Sequence, residues 1–108
     1  MTDNRIRDLN DRFRRLRQGN GQVFVTAGIQ ALGPVFVAEA ICAVRAFDGF
    51  TGDNDPYGEH DFGAVTVKGT RVFWKIDYYD PSLSAGSEDP ADETKTCRVL
   101  TILRPQEY

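Results

Sequence analysis

Apolar residues recur at three- and four-residue spacing at Ile6, Leu9, Phe13 and Leu16, which is the period of one helix face. Asp3 in front can cap the start, and Gly19 and Gly21 follow the end, so the spacing predicts a first helix with its stripe turned to a core. Residues 22–27, with Val23, Phe24, Val25 and Thr26, have the β-branched and aromatic character of a short strand. A turn follows. Gly33-Pro34 then opens a second helix to about Phe47, in which only Glu39 and Arg45 are polar; it is expected to be largely buried. Residues 64–68 and 71–78, joined through Gly69-Thr70, predict a β-hairpin. Val65 and Val67 fall on the face of Val72, Trp74 and Ile76, and Phe73 on the other. Residues 81–95 have loop composition and are long enough to suggest either mobility or a binding role, and 96–103 read as a last strand stopped by Pro105. The order α-β-α-β-β-β predicts an α+β domain over residues 1–108, with a mainly antiparallel four-stranded sheet and two helices packed on one face.

Composition agrees with one soluble domain: 41% hydrophobic and 27% charged residues in 108 positions can enclose a single core. No apolar run approaches the roughly 20 residues that cross a bilayer, and the N-terminus lacks the apolar stretch of a secretory signal, so a cytoplasmic protein without a membrane partner is expected. Cys42 and Cys97 lie on apolar patterns without CxxC spacing and read as buried thiols. The net charge of −3 conceals an asymmetry. Arg5, Arg7, Arg12, Arg14, Arg15 and Arg17 make the first helix basic. Residues 46–67 and 76–94 hold carboxylates and no lysine or arginine at all. The pairs Asp3–Arg7, Asp8–Arg12 and Asp11–Arg15 have the acid-before-base i,i+4 order, so the arginines, most of them on the flanks and far side, are expected to form a solvated ion-paired face. A nucleic-acid contact through that helix is the rival reading.

The chemistry-bearing residues gather between Asp53 and Gly63, which include the single histidine. Asp55-Pro56-Tyr57-Gly58 fits a type I turn, with aspartate first, proline second and glycine fourth. The spacing of Asp53, Asp55, Gly58, Glu59 and Asp61 superficially follows a calcium loop, yet the place of the bidentate glutamate is held by Ala64 and a strand follows, which excludes an EF-hand. Asp53, Asp55, Glu59 and Asp61, with Asp77 or Asp80, could still supply oxygen ligands to magnesium or manganese, with His60 moving a proton. That makes a metal-dependent phosphoester hydrolase or nuclease an alternative. Zinc would have to recruit His60 and both cysteines; the serines Ser82, Ser84 and Ser87 have no marked base beside them, and no phosphate-cradling glycine motif occurs. His60 is read first as a tie between the loop and the hairpin. A hairpin brings its two outer ends side by side, so Glu59 and His60 are expected near Tyr78 or Tyr79.

Taken together, the strings from Asp53 to Gly63, Phe73 to Asp80, Ser87 to Asp92 and Arg98 to Ile102 resemble the family of small proteobacterial proteins known as domain of unknown function 3768. The resemblance implies a small cytoplasmic protein carried on plasmids and integrated elements, with no established activity. With the acidic stretches, this leads to the expectation of a non-enzymatic protein-binding module: a mobile-element accessory that inhibits a nucleic-acid-targeting host defence complex through its acidic face. The expected contact residues are Asp53, Asp55, Tyr57, Glu59, His60, Asp61, Tyr79, Asp80, Glu88 and Asp89, against a partner with a cationic surface, with no cofactor, no resident metal and no catalytic residue.

Overall fold

The computed structural model describes residues 4–108. Asp3, expected to cap the first helix and pair with Arg7, lies outside the described residues. Helix α1 (Arg5–Leu16) leads through Arg17, in the left-handed region at φ 56°, to strand β1 (Gly21–Val25). A short helix α2 (Ala27–Gln30), capped by the Thr26 hydroxyl on the Ile29 N–H, occupies what the sequence suggested was a turn. Helix α3 (Pro34–Ala46) begins with its proline in the first turn. Strands β2 (Phe62–Val67) and β3 (Thr70–Tyr79) form the hairpin, and β4 (Cys97–Leu103) closes the chain's sheet.

The strand order is β1-β4-β3-β2, giving an α+β sheet that is antiparallel throughout except where β1 runs parallel to β4. That last strand inserts between β1 and the hairpin, which no local pattern announces. The hairpin turns at Lys68-Gly69 rather than one residue later: both residues have positive φ, 49° and 79°, and Val67 pairs with Thr70. Two successive positive φ values give the primed turn whose twist matches paired strands. No helix among the described residues is long and apolar enough to cross a membrane.

The core lies between the helices and one sheet face, where Val72, Trp74 and Ile76 meet Leu100 and Ile102 of β4, Phe13 of α1, and Phe36, Ala40 and Val44 of α3. Helix α3 is not largely buried as expected: it presents only that one stripe to the core and leaves Val35 61% exposed. Cys42 shares its outer side and is exposed, and Cys97 is half-buried, so neither thiol belongs to the core. Leu16, the last member of the α1 stripe, is likewise 60% exposed, because the face that docks is Phe13 with Asn10 and Arg14.

Arg14, expected among solvated arginines, is instead fully buried. Its Nη1 donates to the Val44 carbonyl at 2.6 Å, and its guanidinium lies 4.8 Å from the Trp74 ring centre and 5.5 Å from that of Phe50. Burial lowers its pKa, an effect opposed by Asp11 at 3.5 Å. Arg15 reaches the Phe47 carbonyl, while Arg45 donates back to the Arg15 carbonyl. The C-terminal ends of α1 and α3 therefore meet through arginines set on their terminal carbonyls, where cations are favoured.

Trp74 also needs a missing side chain opposite it. Gly63 pairs with Trp74 across the hairpin, and a Cβ there would sit 2.5 Å from the indole Nε1. We expect Gly63→Ala to destabilise the fold by about 2 kcal/mol through overpacking. Urea unfolding followed by the fluorescence of Trp74, the single tryptophan, measures it.

Candidate functional site

Residues 48–61 cross from α3 to β2 in a loop built from short-range side-chain hydrogen bonds. Asn54 Oδ1 accepts from the Thr51 N–H at 2.8 Å, Asn54 Nδ2 donates to the Gly49 carbonyl at 3.0 Å, and the Gly58 N–H closes the expected turn on the Asp55 carbonyl at 3.1 Å. The Asp55 side chain folds under this turn, where it accepts from the His60 N–H at 3.3 Å. That contact holds His60 at φ 57°, an unusual conformation for a residue with a side chain.

His60 then fastens the loop to the helices. Its ring stacks on Phe50 at 3.8 Å between centres and 4° between planes, with Nδ1 2.9 Å from Asp11 Oδ1 of α1 and Nε2 3.6 Å from Asp55 Oδ2. The tie joins loop to helix α1, a different partner from the hairpin that the sequence suggested. The hairpin is reached by Glu59, whose Oε1 accepts from the Tyr78 hydroxyl at 2.9 Å. Loop and strand end thus converge through Glu59 and Tyr78.

Beneath that contact lies Asn10 of α1, with no exposed surface. Its Nδ2 donates to the Tyr78 hydroxyl at 2.7 Å and to the Glu59 carbonyl at 3.0 Å, and its Oδ1 accepts from Arg98 Nε at 2.6 Å. Arginine can only donate and a carbonyl can only accept, so these neighbours fix the amide's orientation. Arg98 continues to the Pro90 carbonyl at 2.6 Å, which draws the acidic loop into the same network. Burial raises the Tyr78 pKa and lowers that of Arg98. Half-buried Asp61 is also raised, first by burial and then by the nearby Glu59 charge.

The remaining expected contact residues do not share this centre. Tyr79 points to the opposite sheet face, beside Phe24, Leu83 and Val99. Asp80 accepts from Ser82 Oγ at 2.8 Å and from the Ser84 N–H at 3.1 Å, which lowers its pKa and closes a tight turn. Asp89 accepts from the Ala91 N–H, while exposed Glu88 lies 3.5 Å from Lys95. The loop over 81–95, expected to be mobile or to bind, makes hydrogen bonds to the rest of the fold: Ser87 N–H donates to the Tyr78 carbonyl, and the buried Thr96 Oγ1 donates to the Asp92 carbonyl at 2.9 Å. Asp53 and Tyr57 stand exposed at the tip of the first loop, Tyr57 by 86%. Among the described residues, no three His, Cys, Asp or Glu side chains converge as metal ligands would.

Sequence reasoning missed Asn10, Asp11, Phe50 and Arg98. A signal for Asn10 was available: extending the α1 stripe by helical spacing gives Ile6, Leu9, Asn10, Phe13 and Arg14, a wider face that includes both buried polar residues. The first helix also uses its basic residues within the molecule: Arg7 lies 3.2 Å from Asp8, and Arg12 pairs with Glu93 at 2.8 Å rather than with Asp8 as expected.

Two measurements test this network. Asn10→Ala removes the partner of a buried guanidinium and of a buried hydroxyl, and we expect a loss of about 3 kcal/mol at neutral pH, read by chemical denaturation. Asp61 behaves oppositely. Its raised folded-state pKa means that ionisation opposes folding above that pKa, and that the penalty disappears below the unfolded value. Asp61→Asn is therefore expected to raise Tm by a few degrees at pH 7, an advantage that shrinks to nothing as the pH falls below the unfolded carboxyl range.

No curated protein and no solved structure matches this chain. One family model does, over residues 25–107, and its description is "protein of unknown function (DUF3768)". The matched segment runs from the end of β1 through β4 and contains the whole loop from Asp53 to Gly63, together with the Tyr78, Arg98 and Glu59 members of the buried network. With that coverage, the chain belongs to the domain of unknown function 3768 family.

Proposed function

We propose that this protein is a non-enzymatic binding module that offers an acidic, aromatic-tipped surface to a partner with a cationic groove. The observation that carries the reading is the contrast within one turn. Asp55 is buried and bonded to the His60 backbone, while Tyr57, two residues on, is 86% exposed. A large exposed aromatic on an anchored loop loses little conformational freedom when it docks, and tyrosine is among the residues that dominate binding energies at interfaces.

Charge supports the same assignment. Asp53, Asp48 and Glu88 are exposed on the loops, whereas Asp11, Asp55 and Glu59 are committed to internal contacts. The division argues for recognition rather than hydrolysis, because the carboxylates that a hydrolytic cation would need are held in separate structural roles. Arg14 is buried, and Arg12 and Arg15, though exposed, are engaged by intramolecular acceptors, which weighs against α1 as a nucleic-acid-binding helix. The setting we propose is a mobile-element accessory that occupies the phosphate-tracking groove of a host defence complex. An acidic surface can compete there for the same cations.

Binding of the purified protein to immobilised nucleic-acid-targeting defence complexes tests the reading. We expect affinity that weakens as salt rises, and a loss of at least about tenfold, or ~1.4 kcal/mol, for Tyr57→Ala combined with Asp53→Ala. No interaction even at low salt would refute it.

A further inference from the structure

From Gln18 to Ala38 the chain carries no charged residue, although 27% of the whole sequence is charged. The structure concentrates that neutral stretch at one border of the sheet. Strand β1 is outermost and its sequence, Gly-Gln-Val-Phe-Val, contains neither the lysine nor the proline that commonly protects an edge. Beside it, a hollow of about 710 Å³ runs between Val23 and Val25 on one wall and Pro34, Val37 and Ile41 of α3 on the other. Phe24 is 51% exposed, Val35 61% and Leu32 38%.

The polarity of the ladder determines which backbone groups face outward. Arg98 N–H donates to the Asn20 carbonyl and Thr26 N–H donates to the Ile102 carbonyl. A parallel strand uses alternate residues toward its neighbour, so Gln22 and Phe24 complete the pairing with β4, and the N–H and C=O groups of Gly21 and Val23 turn away from it. Gln30 Nε2 already covers the next outward carbonyl, that of Val25, at 2.7 Å. The fold has capped one end of this edge and left the middle open.

We infer that the open edge pairs with the same edge of a second copy of this chain, β1 against β1 in antiparallel order about Val23. A two-fold axis at that residue sets the Val23 groups of the two copies against each other and Gly21 of each against Val25 of the other. This gives the isologous geometry of a closed dimer and an eight-stranded sheet. Charge favours this occupant. A chain with net charge −3 repels its copies over its acidic loops, whereas β1 itself is uncharged and the exposed charged groups beside Val23 and Val25 are Arg17 and Arg45 rather than carboxylates. Phe24 and Val35 then become interface side chains, which accounts for large apolar groups beside an unprotected strand.

Sedimentation equilibrium of the full chain from ~1 μM to ~1 mM, with amide hydrogen exchange at both ends of that range, tests the pairing. We expect the mass to rise from 12.1 kDa toward twice that value, and the amides of Val23 and of Val25, which faces the free Gly21 carbonyl of the other copy, to slow their exchange in step. Phe24→Glu and Val35→Glu, both at exposed positions, should each weaken association at least about tenfold with Tm of the monomer unchanged. A chain of monomer mass throughout, a dimer in which the Val23 amide exchanges freely, or variants that associate as tightly as the parent would each overturn it.

Discussion

The carboxamide of Asn10 meets the guanidinium of Arg98, the hydroxyl of Tyr78 and the carbonyl of Glu59 at one buried point, so helix α1, the two central strands and the loop before β2 share a single polar centre. In a low-dielectric interior each of these groups is costly without its partner, and each is satisfied only when all four segments are in place. Hydrophobic packing of Phe13 and Trp74 draws the helix onto the sheet, but it specifies position loosely. The amide specifies it closely, because donors and acceptors cannot be exchanged.

Arg14 extends the same logic one helical turn further on. Its charge is removed from bulk water and compensated by carbonyls at the end of α3, by Asp11 and by the faces of Trp74 and Phe50. Phe50 in turn carries the His60 ring on its own face. A continuous chain of contacts through tryptophan, guanidinium, phenyl and imidazole groups thus leads from the core to the loop, and the loop's shape is set from below.

This arrangement explains why the carboxylates in the acidic segments do such different things. Asp55 and Glu59 act as internal acceptors; Asp80 and Asp92 close local turns, each with a pKa lowered by hydroxyl and backbone donors. The carboxylates left on the surface, with Tyr57 at the tip, are the ones a partner can reach. The proposed binding surface and the scaffold that supports it are interleaved residue by residue within the same short stretch of chain.

Local periodicity determined the elements: the α1 stripe, the Pro34 helix start, the alternation of β2 and β3, and the turn at Asp55-Pro56-Tyr57-Gly58 all follow from spacing and turn chemistry that act over a few residues. The α+β class and the meeting of Glu59 with Tyr78 followed as well, since a hairpin's outer ends must adjoin. Tertiary structure alone decided the parallel place of β1 beside β4, because pairing of segments so far apart in sequence has no local signature. Helical spacing put Asn10 and Arg14 next to the α1 stripe, but the docked surface decided that they are core and Leu16 is not, because a helix pattern does not set how far around the helix burial extends. Tyr79 and Tyr78 illustrate the difference most simply. Alternation places them on opposite faces, and only the packed helices determine which face holds the network.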